Sequence, residues 1–294
     1  MTNPTPNTEA PLVSTAWLAD RLDEPDLRVF DGTVHLRPAT PGPYVVESGR
    51  ADFERAHIPG AAFVDLGHDL SDRASDLRFT LPGPTALAAA FGAAGIGSDQ
   101  TIVLYSSTGP MWATRLWWML RGAGHRRALV LDGGLPKWRA EGRALASGAS
   151  RHLPAAFEAT PRPGVWADQR AVLAAIGDGE VCTVNALSGA LHRGTAELHY
   201  GRKGHIAGSV NLPYSRLTHE DGSFRSVDEL RAALTDIGAT TARRVICYCG
   251  GGIAATMDAL ALVRIGHPDV AVYDGSMSEW VRDPALPMEL GEPG

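Results

Sequence analysis

Cysteine is scarce in this chain: 294 residues carry three, Cys182, Cys247 and Cys249. An odd, low number argues against the disulfide frameworks that staple small secreted domains. In a reducing compartment a conspicuous thiol is instead a candidate for chemistry. A basic excess is missing too, since 27 Lys and Arg stand against 33 Asp and Glu, a net charge of -6. That removes the electrostatic footprint of a nucleic-acid binder and leaves any anionic substrate to be held by local geometry. No apolar run is long enough to span a bilayer. The stretch from Met1 to Thr15 is polar and Pro-rich, without the basic and apolar regions of a signal peptide. A cytoplasmic location, with no membrane association and no nucleic-acid partner, is therefore expected.

What is present is an ordinary globular composition, 44% hydrophobic and 20% charged, in a length that suits about two domains. The chain also repeats itself. Gly124-His125, Asp132-Gly133-Gly134 and Trp138 recur as Gly266-His267, Asp274-Gly275-Ser276 and Trp280, each 142 residues later. Upstream, His57-Ile58-Pro59-Gly60-Ala61 is echoed by His205-Ile206-Ala207-Gly208-Ser209 at a spacing of 148. Units of this size indicate a duplicated domain rather than a solenoid.

Each copy alternates strand-like and helix-like stretches. In the second copy residues 181–184, 210–212, 245–248 and 271–273 read as strands. Residues 228–237 and 253–265 read as helices, the first with Leu230, Ala233, Leu234 and Ile237 on one face. In the first copy, 101–105 reads as a strand and 111–121 as a helix whose Trp112, Trp117 and Trp118 belong to the core. The alternation predicts α/β domains, each a mainly parallel central sheet flanked by helices. The expected division is a first domain over 1–147, a Pro-containing connector over 148–164 and a second domain over 165–294.

The sharpest chemical signal runs from Val245 to Ala255: an apolar strand, Cys247-Tyr248-Cys249, then Gly250-Gly251-Gly252, then a helix opening with Ile253 and Ala254. Glycines let successive N–H groups turn inward, and a helix N-terminus adds unsatisfied N–H groups with a positive partial charge. Residues 250–254 would thus cradle an anion on the Cys249 sulfur, favouring a thiolate or persulfide without metal or other cofactor. Cys182 and Cys247 read as packing residues. No second Cys or His pair follows at zinc spacing, and the Gly-Lys-Ser/Thr of a phosphate-binding loop is missing. A phosphatase would need an arginine closing a longer loop, but the sixth residue after Cys249 is Ala255.

Together with Leu131-Asp132-Gly133-Gly134-Leu135-Pro136-Lys137-Trp138, Gly204-His205-Ile206 and Tyr273-Asp274-Gly275-Ser276-Met277-Ser278-Glu279-Trp280, this pattern resembles the rhodanese family over nearly the whole chain. It is similar to the tandem-domain thiosulfate and 3-mercaptopyruvate sulfurtransferases. The resemblance implies two rhodanese-like domains, of which only the second is catalytic, and ping-pong transfer through a Cys249 persulfide. The implied partners are a small-molecule sulfur donor and a cyanide or thiol acceptor. At the 142-residue spacing Cys249 falls on Ser107, so the first copy is expected to be silent. The Cys-Gly-x-Gly loop resembles the mercaptopyruvate branch, but Leu191 and His199 stand where that branch carries donor-binding arginines, and Asn185-Ala186-Leu187 where the family has Asp-Ala-Arg. Arg193, Arg202, His199 and Ser276 are the expected donor-binding residues, and thiosulfate the marginally favoured donor. His57, His205 and Asp274 are expected to brace turns, and Arg115 to form an interdomain or helix-face ion pair. A sulfur-relay carrier and a non-catalytic sensor or interaction module are the alternative readings.

Overall fold

The computed structural model describes residues 11–37 and 44–291. The amino-terminal stretch 1–10, part of the region read for a leader, lies outside them. The first domain contains a parallel sheet of β1 (Leu12–Val13), β2 (Leu27–Asp31), β3 (Ala61–Phe63), β4 (Thr101–Tyr105) and β5 (Ala128–Leu131), in the order β1-β5-β4-β2-β3. The second repeats it with β6 (Trp166–Ala167), β7 (Val181–Asn185), β8 (Val210–Asn211), β9 (Arg244–Tyr248) and β10 (Val270–Tyr273), in the order β6-β10-β9-β7-β8. The duplication seen in sequence is thus a duplication of topology. β4 and β9 hold the central place of each sheet and are apolar and buried along almost their whole length, as strands covered by helices on both faces must be.

The helix Met111–Gly122 follows β4, and Ala255–Arg264 follows β9. Both are buried nearly all round, the mark of a helix enclosed on every side, because they pack against each other between the domains. Thr114 and Thr256, equivalent in the repeat, meet there with hydroxyl oxygens 2.7 Å apart. The Asp-Gly turns cross-brace the halves. Asp132 accepts an N–H from Phe224 of the second domain at 2.8 Å, and Asp274 accepts one from Leu81 of the first at 2.8 Å. Of the two aspartates, Asp274 was expected from sequence to brace a turn; here it also ties that turn to the other domain. Trp112, expected in the core, is buried there, tilted against Phe79.

The segment read as a connector is extended over residues 151–162 but not loose. Ala155 N donates to Gly92 O (2.9 Å), Thr160 N to Ala123 O (2.8 Å) and Arg162 N to Gly122 O (2.8 Å). Its prolines prevent regular structure, yet its remaining N–H groups still need partners, so it lies along the first domain.

Candidate active site

Cys249 directly follows β9, at the carboxyl end of a parallel sheet, where open α/β folds place their ligands. The loop after it is anchored from below. Ser276 Oγ accepts the N–H groups of Cys249 and Gly252, each at 3.1 Å, and donates to Tyr273 O at 2.7 Å. Three carbonyls are also held: Cys249 O by Met277 N (3.1 Å), Gly250 O by Ser278 N (2.9 Å) and Oγ (2.6 Å), and Gly252 O by Arg115 NH1 (3.2 Å). In a trans peptide the carbonyl and the following N–H point in opposite directions. Fixing these carbonyls therefore turns the N–H groups of Gly250, Gly251 and Ile253 away from the anchors. Among the described residues, the N–H groups of Gly250, Gly251, Ile253, Ala254 and Ala255 have no acceptor within the protein. A run of such N–H groups at a turn and a helix start can together hold an anion. The helix begins at Ala255, two residues later than its sequence pattern suggests, because Gly252 turns the chain at φ 72. A Cβ there would lie 2.6 Å from Asp274 O, so only glycine fits.

The first domain carries the corresponding loop without a cysteine. Tyr105 and Tyr248 are equivalent: each hydroxyl accepts the N–H of the isoleucine in a His-Ile turn, Ile58 at 3.3 Å and Ile206 at 3.1 Å. Ser106 O is held by Leu135 N just as Cys249 O is held by Met277 N, both at 3.1 Å. The counterpart of Cys249 is therefore Ser106, not Ser107; one extra residue in the first loop shifts the alignment. Here Ser107 N donates to Thr33 Oγ1 (2.8 Å) and Thr108 N to Ser106 Oγ (3.2 Å). The position equivalent to Thr33 is Leu187, since each donates its N–H to the side chain two residues before it, Asp31 or Asn185. Leucine offers no hydroxyl, and so Gly250 N stays available. Ser106→Ala should leave turnover within about twofold of the unaltered chain in steady-state assays; a loss of tenfold or more would show that the first loop takes part.

An open cleft of about 570 Å³ lies between the domains beside this loop, lined by Tyr44, Asp76 and Arg78 from the first and by His199, Tyr200, Ser278 and Arg282, among others, from the second. Arg78 donates to Tyr44 O at 2.5 Å with its guanidinium over the Tyr44 ring, and Arg282 reaches Asp76 O at 3.4 Å. A side chain at Gly250 would run into the Tyr200 hydroxyl, whereas a Cβ at Gly251 would stand 3.8 Å from Ser278 Oγ and 3.9 Å from Arg78 O. Burial, reinforced by Cys249 nearby, holds the Tyr200 phenol well above its usual range, and burial raises Tyr44. Both stay protonated hydrogen-bond donors. Cys249 itself is only 2% exposed.

Of the residues expected to bind a donor, His199 lines this cleft. Arg202 does not: its NH1 donates to Asp283 O (3.1 Å) and Leu286 O (3.0 Å), tying down the carboxyl-terminal segment. Arg193 ends the short helix Gly189–Arg193 with its guanidinium over Gly189, and it is not part of the cleft lining. Ser276 is fully buried with its hydroxyl engaged by three backbone groups, so it supports the loop from beneath and has no surface for a donor. His57 and His205 bond the carbonyls of Phe53 and His192, each at 2.8 Å, and are buried turn braces. Arg78, Tyr44, Tyr200 and Arg282 were not singled out from sequence. Arg78 lies in an irregular stretch whose only local message is that it is a loop. Its place beside Cys249 is a contact between copies.

A family profile described as the rhodanese-like domain matches residues 14–141 and 193–283. The thiosulfate sulfurtransferase of Cricetulus griseus is 35% identical over 278 residues, covering 92% of this chain and 91% of that protein. The 3-mercaptopyruvate sulfurtransferase of Homo sapiens is 34% identical over 277 residues, with 92% and 91% covered. Among solved structures, SseA from Escherichia coli, described as a 3-mercaptopyruvate sulfotransferase of "Rhodanese" fold, matches with a TM-score of 0.79 and 31% identity over 92% of this chain and 99% of that one. A pair of parallel α/β domains is thus the architecture that this chain shares with SseA. This chain belongs to the rhodanese family.

Proposed function

We propose that this chain is a sulfurtransferase that moves sulfane sulfur from thiosulfate or 3-mercaptopyruvate to cyanide or a thiol through a persulfide on Cys249. The observation that carries this reading is the set of N–H groups around Cys249 that lack acceptors while the carbonyls of the same loop are fixed. Such a cradle stabilises a sulfur-centred anion, and the anion occurs in both half-reactions. The Cys249 thiolate attacks the outer sulfur of thiosulfate or the thiol sulfur of 3-mercaptopyruvate and forms a new S–S bond, while the S–S bond to sulfite or the C–S bond to the pyruvate enolate breaks and its electron pair leaves with that group. An acceptor nucleophile then takes the outer sulfur, and the electron pair returns to Cys249 as thiolate. Dividing the transfer into two displacements is covalent catalysis. Arg78 and Arg282 stand where the acidic end of the donor would lie, with His199 and the Tyr200 hydroxyl beside them.

Assays with thiosulfate and 3-mercaptopyruvate side by side test the reading. A relay carrier fed by a protein donor would turn over neither, and a sensor would retain no sulfur. A charge-assisted hydrogen bond from Arg78 to the donor contributes about 1.5–3 kcal/mol. Arg78→Ala should therefore raise donor KM about ten- to a hundredfold with a smaller effect on kcat. Arg202→Ala should lower Tm and leave KM within about threefold. The reverse pattern would return donor binding to the segment around Arg202. Among the described residues no helix is long and apolar enough to cross a membrane. We place the reaction in the cytoplasm, where thiols stay reduced.

A further inference from the structure

We propose that Arg115, from the silent first domain, is a positioning residue that sets the Cys249 loop in its anion-binding shape. The inference rests on the reading of Cys249 given above. Two of the loop's three carbonyl anchors come from its own domain, from Met277 and Ser278. The third, on Gly252 O, is Arg115. Gly252 is therefore held from both sides, its N–H by Ser276 and its carbonyl by a side chain of the other domain. Because the peptide is planar, the direction of Gly252 O fixes that of Ile253 N–H, one of the donors left unbonded.

The arrangement suits positioning better than ordinary packing. The Arg115 side chain is fully buried, where an unpaired charge would be very costly. It is paired: NH2 lies 2.7 Å from Asp274 Oδ1 and 2.7 Å from Phe79 O, and the guanidinium lies 4.9 Å from the centre of the Trp166 ring. Asp274 is fixed in turn by Leu81 N. One rigid planar fork thus joins the first domain's 79–81 loop to the end of β10 and to Gly252, which a single ammonium cannot do. The arrangement is also asymmetric. Thr114 and Thr256 meet as equivalents, so the next residue of the second domain's helix, Met257, is the counterpart of Arg115. A cation therefore occupies this position only on the side that reaches the Cys249 loop.

The test uses the full chain with Arg115→Met, Arg115→Lys and, as an interface control that itself bonds no loop atom, Thr114→Val, which leaves Thr256 donating to Ile253 O. At saturating thiosulfate, single-turnover sulfur loading of Cys249 in Arg115→Met should be about 10- to 100-fold slower, with donor KM within about threefold of the unaltered chain. Arg115→Lys should fall between, and Thr114→Val should lose some thermal stability while loading at the normal rate. Alkylation of Cys249 by iodoacetamide at pH 7 needs no donor and should slow about three- to tenfold in Arg115→Met. Normal loading and alkylation in Arg115→Met would overturn the proposal, as would equal slowing in Thr114→Val or an effect confined to KM. If Arg115→Met does not fold, an unchanged rate in Arg115→Lys overturns it. Slowed alkylation beside an unaltered chain that accepts no sulfur would sink the sulfurtransferase reading and leave the positioning role standing.

Discussion

Cys249→Ala should abolish sulfur transfer, with turnover falling by at least about 10³-fold, since removing the nucleophile leaves only binding and the N–H cradle. The other two cysteines should not substitute for it. Cys247 is wholly buried in β9, and burial pushes its thiol well above the usual range. Cys182 is half-buried, and burial pushes its thiol up to about 11. Near neutral pH neither supplies a useful fraction of thiolate, whereas Cys249 lies beside the unbonded loop N–H groups. Cys247→Ala and Cys182→Ala should therefore keep most of their activity and lose only packing. Incubation with donor followed by intact-mass measurement should show one added sulfur atom, and peptide mapping should locate it on Cys249. Sulfur found on Cys247 would sink the assignment.

Ser276→Ala should have the next largest effect, a fall in kcat of about a hundredfold with little change in donor KM. The hydroxyl receives two N–H groups of the loop, from Cys249 and Gly252, in a site with no access for water. Removing it leaves both unsatisfied, at about 1–3 kcal/mol each, and frees the loop to rotate them outward at the expense of the cradle. Loss of one preorganised donor typically costs about 10²–10³ in rate. Ser276 has φ 48, in the left-handed region where its repeat counterpart is Gly134, at φ 55. Ser276→Gly should therefore melt higher than Ser276→Ala, because strain is relieved, yet remain as slow. A fast glycine variant would show that backbone conformation, not the hydroxyl, matters. A rise in KM alone would instead favour the donor contact implied by the family resemblance.

The duplication, the alternation of strand and helix, and a cysteine opening a glycine turn at the end of the central strand were all legible in the residue order. Each is a local or periodic property. The spaced Asp-Gly turns mark equivalent positions, the apolar run 245–248 can only be a covered strand, and three glycines between a strand and a helix can only be a tight turn at a helix N-terminus. The capping box of Ser226 and Glu229 opens the helix Val227–Asp236 within one residue of where its apolar spacing puts it. Spacing failed where chain length changed inside a loop. An offset counted from distant turns named Ser107, and only the hydrogen bonds of Tyr105 and Leu135 identify Ser106. Arg202 and Ser276 lie in or near the expected segments, but their polar atoms face the protein's own backbone. Which groups remain unsatisfied when the two domains pack together is set by the tertiary fold. Arg115 becomes part of the loop, and Arg78 part of the cleft, because a bond between copies depends on how two sheets pack, and nothing in the residues flanking either arginine records that packing.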